Sequence, residues 1–423
     1  MRKALAISVA LLLSASLAFA SGEQEQEEEG GPQEITFWTI SLEATFSDYI
    51  EGLIDEFEEM HDDVTVEWVD VPIGDMETRI TTAAASGDMP DVVNLNPEFA
   101  QQLAEYGVLA DMNEYASDVK DDFYSGTWEA SELDGVAFGL PWYITASVMF
   151  YNEELFEEAG LPVESPETFE EALETARTIH EETGAYGYMT ILSEQFIMEE
   201  LEKMGIRLFN EDYTEAQFAT DEVLEMVDTY AGLIEDGVMP QDALTEGAGE
   251  AIQLYSSGEL AMFQGGTSQA GMIEENSESV YDVTGVGPQP ISEGGKSNIA
   301  VMNVGVAEES QYRDTAIEFA KFVTNFDNQL AFAEEAGTII PPNRGATDES
   351  FFQADGSDDA NTQARVESAE QIPDGEVIFR PVSNWGEIRD AFIEAFGQAV
   401  AGDGDPEELL EEAEEIANGY LEE

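Results

Sequence analysis

The 423-residue chain has no cysteine, which excludes disulfides, thiolate nucleophiles, iron–sulfur clusters and Cys-ligated zinc. Its two histidines, His61 and His180, are too few for a His-rich metal site or a His-based proton relay. Cations are scarce as well: 14 Lys and Arg stand against 93 Asp and Glu, for a net charge of −79. A surface of that sign repels phosphate backbones and anionic lipid, so nucleic acid and acidic membrane surfaces are poor candidate partners. No phosphate-binding glycine loop follows a strand in the required form. Past the first 20 residues, no stretch reaches the run of about 18 apolar residues that a membrane span needs. What remains is ample for folding. Hydrophobic residues make up 43% of the chain, enough to build cores in the two or three domains that this length suggests.

The N-terminus supplies the compartment. Arg2 and Lys3 precede an apolar run through Leu11, Leu12 and Leu13, and Ala18-Phe19-Ala20 places small residues where a signal peptidase reads them. Residues 1–20 are therefore expected to be a signal peptide and the mature protein to be exported, periplasmic or extracellular. With no cysteine at the cleavage site, a lipid anchor is not expected. Residues 21–33 read as a disordered acidic tether. The acids run along the whole chain instead of forming one tail, which points to a salt-rich setting where screening relieves their repulsion.

Order begins near residue 34 with a β-rich run ending at Trp38. A helix follows, carrying Phe46, Tyr49, Ile50, Leu53, Ile54, Phe57 and Met60 at intervals of three and four. A strand over 64–69, a helix over 75–85, a strand over 91–95 and a helix opening at Pro97 come next. Strand–helix alternation of this kind implies a mostly parallel sheet covered on both faces. From 136 to 150, two β-rich runs flank Pro141-Trp142-Tyr143, read as a connection between lobes. Helices are expected near 168–181, 194–204 and 221–235, strands at 260–263 and 299–306, and a last acidic helix over 406–421.

Catalytic signatures fail on inspection. Gly266-Thr267-Ser268-Gln269-Ala270 imitates a nucleophile elbow, but no histidine lies beyond His180 to complete the chain order of that fold. His180-Glu181-Glu182-Thr183 lacks the second histidine of a zinc-protease helix. With 93 acids, paired carboxylates occur by chance and select no glycosidase site. The tryptophans carry more: Trp68 reads as core and Trp128 is left open. Trp38, Trp142 and Trp385 stand near strand ends or helix entrances, where open α/β sheets bind ligands.

Four stretches resemble the extracellular solute-binding proteins of ABC importers, in the sugar-binding family that includes maltose-binding protein. They are Ile35-Thr36-Phe37-Trp38; residues 84–93 (AASGDMPDVV); Leu140-Pro141-Trp142-Tyr143 through Met149-Phe150-Tyr151-Asn152; and Gly258-Glu259-Leu260-Ala261-Met262-Phe263-Gln264-Gly265. The resemblance implies an α/β, two-lobed periplasmic-binding-protein fold, each lobe a mostly parallel sheet flanked by helices, joined by crossing strands. It places lobe 1 at 34–145 and 298–346, and lobe 2 at 146–297 and 347–423. It further implies a non-enzymatic protein that encloses one sugar between its lobes by hinge closure, without cofactor or metal. The partners it implies are a small carbohydrate and the transmembrane subunits of an ABC permease, with the binding protein itself a monomer. Carried over by position, stacking surfaces come from Trp38, Trp142, Tyr143 and Trp385. Polar contacts come from Thr39, Glu43, Asn94, Asn96, Thr145, Glu194, Gln264, Gly265, Thr267 and Gln269. Where maltose-binding protein has an acidic residue after the crossover proline, this chain has Thr145, and a tryptophan of that protein falls near Thr267. Both departures argue against maltose itself. A polyol in the same fold and a secreted glycoside hydrolase are the alternative readings.

Overall fold

The structure, a computed structural model, describes residues 31–422 apart from 134, 355, 358, 380, 381 and 383. The expected signal peptide and most of the tether lie outside the described residues. Gln33, assigned to the tether, instead opens the first strand, where its N–H donates to the Asp63 carbonyl at 2.7 Å.

The first part of the chain forms β1 (Gln33–Ile40), α1 (Glu43–Met60), β2 (Val64–Val71), α2 (Ile73–Ser86), β3 (Val92–Leu95) and α3 (Pro97–Glu105). Local chemistry sets these boundaries. Gly87 takes the left-handed conformation (φ 70°) that ends α2, and its N–H returns to the carbonyls of Ala83 and Ala84. The Asn96 side chain accepts from the Phe99 N–H at 2.8 Å, and Pro97 occupies the first turn, so α3 starts at a built cap.

β1 pairs in parallel with β2 and with β3, as the strand–helix alternation requires. A short hairpin follows, β4 (Glu132–Leu133) with β5 (Val136–Ala137), and then the long strand β6 (Leu140–Asn152). The remaining strands are β7 (Met262–Gly266), β8 (Thr284–Pro288) and β9 (Ile299–Val306). β9 runs antiparallel to both β3 and β6. The first half of β6 pairs with β9, and its second half pairs antiparallel with β7 and β8. The partner change falls between Ala146, opposite Ile299, and Ser147, opposite Gly266.

Three bodies of core follow from this topology. Ile35, Phe37 and Val92 pack under α1 and the helix Arg313–Val323 on one face of the first sheet. Val93, Leu95, Ile80 and Leu103 fill the other face under α2 and α3. A second, larger core collects Phe150, Phe263, Tyr188, Tyr230 and Ile197 together with Phe392 and Leu410 from the C-terminal helices. Ile144, Ala146, Ile299, Val301, Ile340 and Phe352 form a third group where the strands cross. This is a two-lobed α/β fold whose crossing strands are β6 and β9.

The crossing corrects one expectation. Pro141-Trp142-Tyr143 is no connection between two runs but part of β6, at a bulge. Pro141 lies opposite Asn303 and Tyr143 opposite Met302, so Trp142 is the extra residue. Proline costs no ladder hydrogen bond at such a point. The bulge turns the Trp142 ring inward, where it is fully buried and stacks on Phe332 at 5.3 Å, with Phe37 at 6.1 Å. It is a core residue, not a stacking surface for a solute. Trp142→Ala is expected to cost about 3–5 kcal/mol in urea unfolding, and Trp142→Phe clearly less. Equal costs would show that the ring does not fill the core.

Candidate functional site

Between the lobes lies a cavity of about 240 Å³. Asn96, Pro97 and Gln101 line it from the start of α3, Asn298 to Val301 from the start of β9, and Gln195, Glu199, Phe379, Trp385 and Arg389 from the second lobe. Its position follows from topology, because strand ends and helix starts of both lobes meet at the crossing.

Trp385 is the first residue of the helix Trp385–Ala401, entered through Asn384 in the left-handed region (φ 59°), which Asn tolerates better than most residues. Its ring packs on Phe379 at 4.9 Å and on Phe209 at 5.8 Å. The indole Nε1 donates to Gln195 Oε1 at 3.0 Å, and Gln195 Nε2 donates on to Glu199 Oε1 at 2.9 Å. Arg389 sits one helical turn past Trp385, with its Nε 2.9 Å from Asp390 Oδ1. The site thus offers a flat aromatic wall beside amides, one guanidinium and Glu199, which is the one carboxylate lining the cavity among the described residues. Amides and a carboxylate fixed around an aromatic face match the hydroxyl rim and C–H face of a polyhydroxylated solute.

The model of one known family, described as bacterial extracellular solute-binding protein, matches residues 43–330. The chain belongs to that family. Among relatives, this solute-binding protein is 25% identical to the mannitol-binding protein of Pseudomonas aeruginosa, over 77% of each chain. It is 22% identical to the galactooligosaccharide-binding protein of Bacillus subtilis, over 89% of this chain and 87% of that one. A crystal structure from Synechococcus sp. MITs9220, provisionally assigned as an oligosaccharide periplasmic-binding protein, superposes with a TM-score of 0.82. It is 28% identical, and the match covers 92% of this chain and 99% of that one.

Of the residues expected at the site of this solute-binding protein, Asn96 and Trp385 line the inter-lobe cavity, and Thr145 pairs with Ala300, another lining residue. Trp38 is half-buried in mid-strand, not at a strand end, and the Arg79 guanidinium covers its ring at 4.8 Å. Thr39 is buried and bound to Asp70 at 2.6 Å, while the Trp68 indole donates to it at 2.8 Å. Trp68 is half-buried, where core was expected; Trp128 is fully buried. Glu43 is exposed in the first turn of α1, its N–H held by Asp70. Asn94 is buried, 3.5 Å from the Asn303 carbonyl. Tyr143 lies against Trp142 and Phe332, and burial pushes its phenol up.

The second-lobe candidates are drawn into other work. Glu194 is exposed and reaches over Gly247. The Gln269 amide folds onto Gly265, where a Cβ would collide with it. Thr267 donates to the Thr338 carbonyl. Gln264 bonds Tyr188 Oη at 2.9 Å and accepts from Lys203 Nζ at 3.3 Å, beside the buried Glu200 carboxyl. Burial pushes Glu200 up and Lys203 down. Sequence reading missed Gln101, Glu199, Phe379 and Arg389. Spacing could have found two of them: Arg389 is four residues past Trp385, and Glu199 four past Gln195, each on one helix face.

Proposed function

We propose that this protein is the exported solute-binding component of an ABC importer, capturing a neutral carbohydrate or polyol between its lobes and delivering it to the permease. The observation that carries this is the inter-lobe cavity, an aromatic wall of Trp385 and Phe379 facing amides from both lobes. The sugar- and polyol-binding names of its relatives support the ligand class. The cavity of about 240 Å³ falls just below the range of about 300–1,000 Å³ usual for drug-sized ligands, which suits a single sugar or polyol unit. A single lining carboxylate among the described residues suits binding rather than the paired acids of glycoside hydrolysis. The lobes we assign are 34–145 with 298–346, and 146–297 with 347–423, acting as a monomer.

A thermal-shift screen against mannitol and neutral mono- and oligosaccharides tests the reading. A ligand at 100 times its dissociation constant adds about 2.7 kcal/mol, or about 3 °C for a chain of this size. Recovered sugars should be intact. A panel without any shift, or a cleaved sugar, would overturn it.

A further inference from the structure

Gln101 is a polar residue on a helix whose neighbours Phe99, Ala100 and Leu103 pack into the first-lobe core. It is only 8% exposed, yet it points away from that core. Its amide donates across the cleft to the backbone carbonyl of Val382, and lies 3.4 Å from Glu105 Oε1 on its own helix. On one side of this bridge is the cavity of about 240 Å³. On the other is a crevice of about 450 Å³ between α3 and the helix Trp385–Ala401. Gln101, Trp385 and Arg389 line both spaces, so together they form the wall between them.

Resting on the reading above, we propose that Gln101 sets the length of the solute. Bridged to Val382, its side chain closes the inner cavity behind the first sugar unit and keeps a further unit out of the outer crevice. The outer crevice has what a second unit would use: Tyr106, 54% exposed, beside Gln102 and Asn384. A longer chain reaches it only by breaking the Gln101 bridge, which costs the Val382 carbonyl its amide donor. The other two wall residues are held in place, Trp385 by Phe379 and Gln195 and Arg389 by Asp390. Gln101 is thus the wall residue whose truncation joins the two spaces without removing the aromatic platform.

The test titrates wild type, Gln101→Ala and Gln101→Met with mannitol and with one-, two- and three-unit members of the glucose, galactose and arabinose series. Alanine favours the helix, and methionine keeps the length of the side chain without its hydrogen bonds. Wild type should bind the one-unit member of a series at least about tenfold more tightly than the three-unit member. Gln101→Ala should bring the two within about threefold, and Gln101→Met, which fills space but cannot bond Val382, should give a ratio between that of Gln101→Ala and wild type. Adding Tyr106→Ala to Gln101→Ala should withdraw the gain for the three-unit sugar and leave the one-unit affinity unchanged. Equal wild-type binding of short and long members, or an unchanged ratio in Gln101→Ala, overturns the length rule while sugar binding stands. Binding of none of these probes overturns the sugar reading and the length rule with it.

Discussion

Raising sodium chloride from about 0.05 M to about 2 M is expected to raise the melting temperature by on the order of 10 °C. The cause is arithmetic: 93 acids face 14 bases, so most carboxylates have no cation to pair with. The pairs that form are mostly at the surface, such as Lys296 with Glu376 at 2.8 Å and Lys321 with Asp118 at 2.6 Å. Pairs of that kind contribute about 0–1 kcal/mol each and cannot offset the summed repulsion. Folding brings the acids of the helices Phe169–Thr183 and Pro406–Leu421 closer together than the unfolded chain does. Screening shrinks the reach of that repulsion from about 30 Å at 0.01 M to about 3 Å at 1 M. Because total stability is only about 5–15 kcal/mol, relief on this scale is a large fraction of it. A melting temperature independent of salt would remove the salt-rich setting from the account.

Trp385→Ala is expected to weaken solute binding about ten- to thirtyfold. A sugar face covering about 60–80 Å² of the indole contributes about 1.5–2 kcal/mol at 25 cal/mol per Å², and each 1.4 kcal/mol is about tenfold in affinity. The ring has a second role, since it packs on Phe379 and Phe209 and fixes Gln195 through Nε1. Some stability should therefore go with it, and Trp385→Phe separates the two. Phenylalanine keeps most of the packing and an aromatic face but loses the indole donor, so its loss of affinity should be smaller. Isothermal titration of each folded variant decides this. Wild-type affinity in Trp385→Ala would show that the wall packs the lobe and does not touch the solute.

The fold was largely legible in the sequence, because its elements announce themselves locally. The helix Asp221–Glu235 buries Val223, Val227, Tyr230 and Leu233 on one stripe behind a Thr220 cap, as the spacing of its apolar residues implies. Gly87 and Pro97 end and begin helices where their backbone preferences place them. Trp142 was not legible. Its direction depends on a one-residue bulge against β9, and such a slip sends a side chain to the opposite face. The site was half legible for a related reason. Asn96 and Trp385 stand at helix starts, which punctuation marks in the sequence. Gln101 meets Val382 from 281 positions away, and no local pattern records a contact of that span. Gln264 and Thr267 have side chains fitted for a sugar rim, but tertiary packing commits them to Lys203 and Thr338 instead.

The central claim, that a solute is enclosed between the two lobes, is tested most directly by small-angle X-ray scattering with and without a sugar found in the thermal screen. The liganded protein should give the scattering curve of the structure described here, in which Gln101 of α3 meets Val382 across the cleft. Without ligand, the radius of gyration should be larger, because closure is a shift of an open–closed equilibrium that the solute favours. The same radius with and without saturating sugar would contradict enclosure between the lobes.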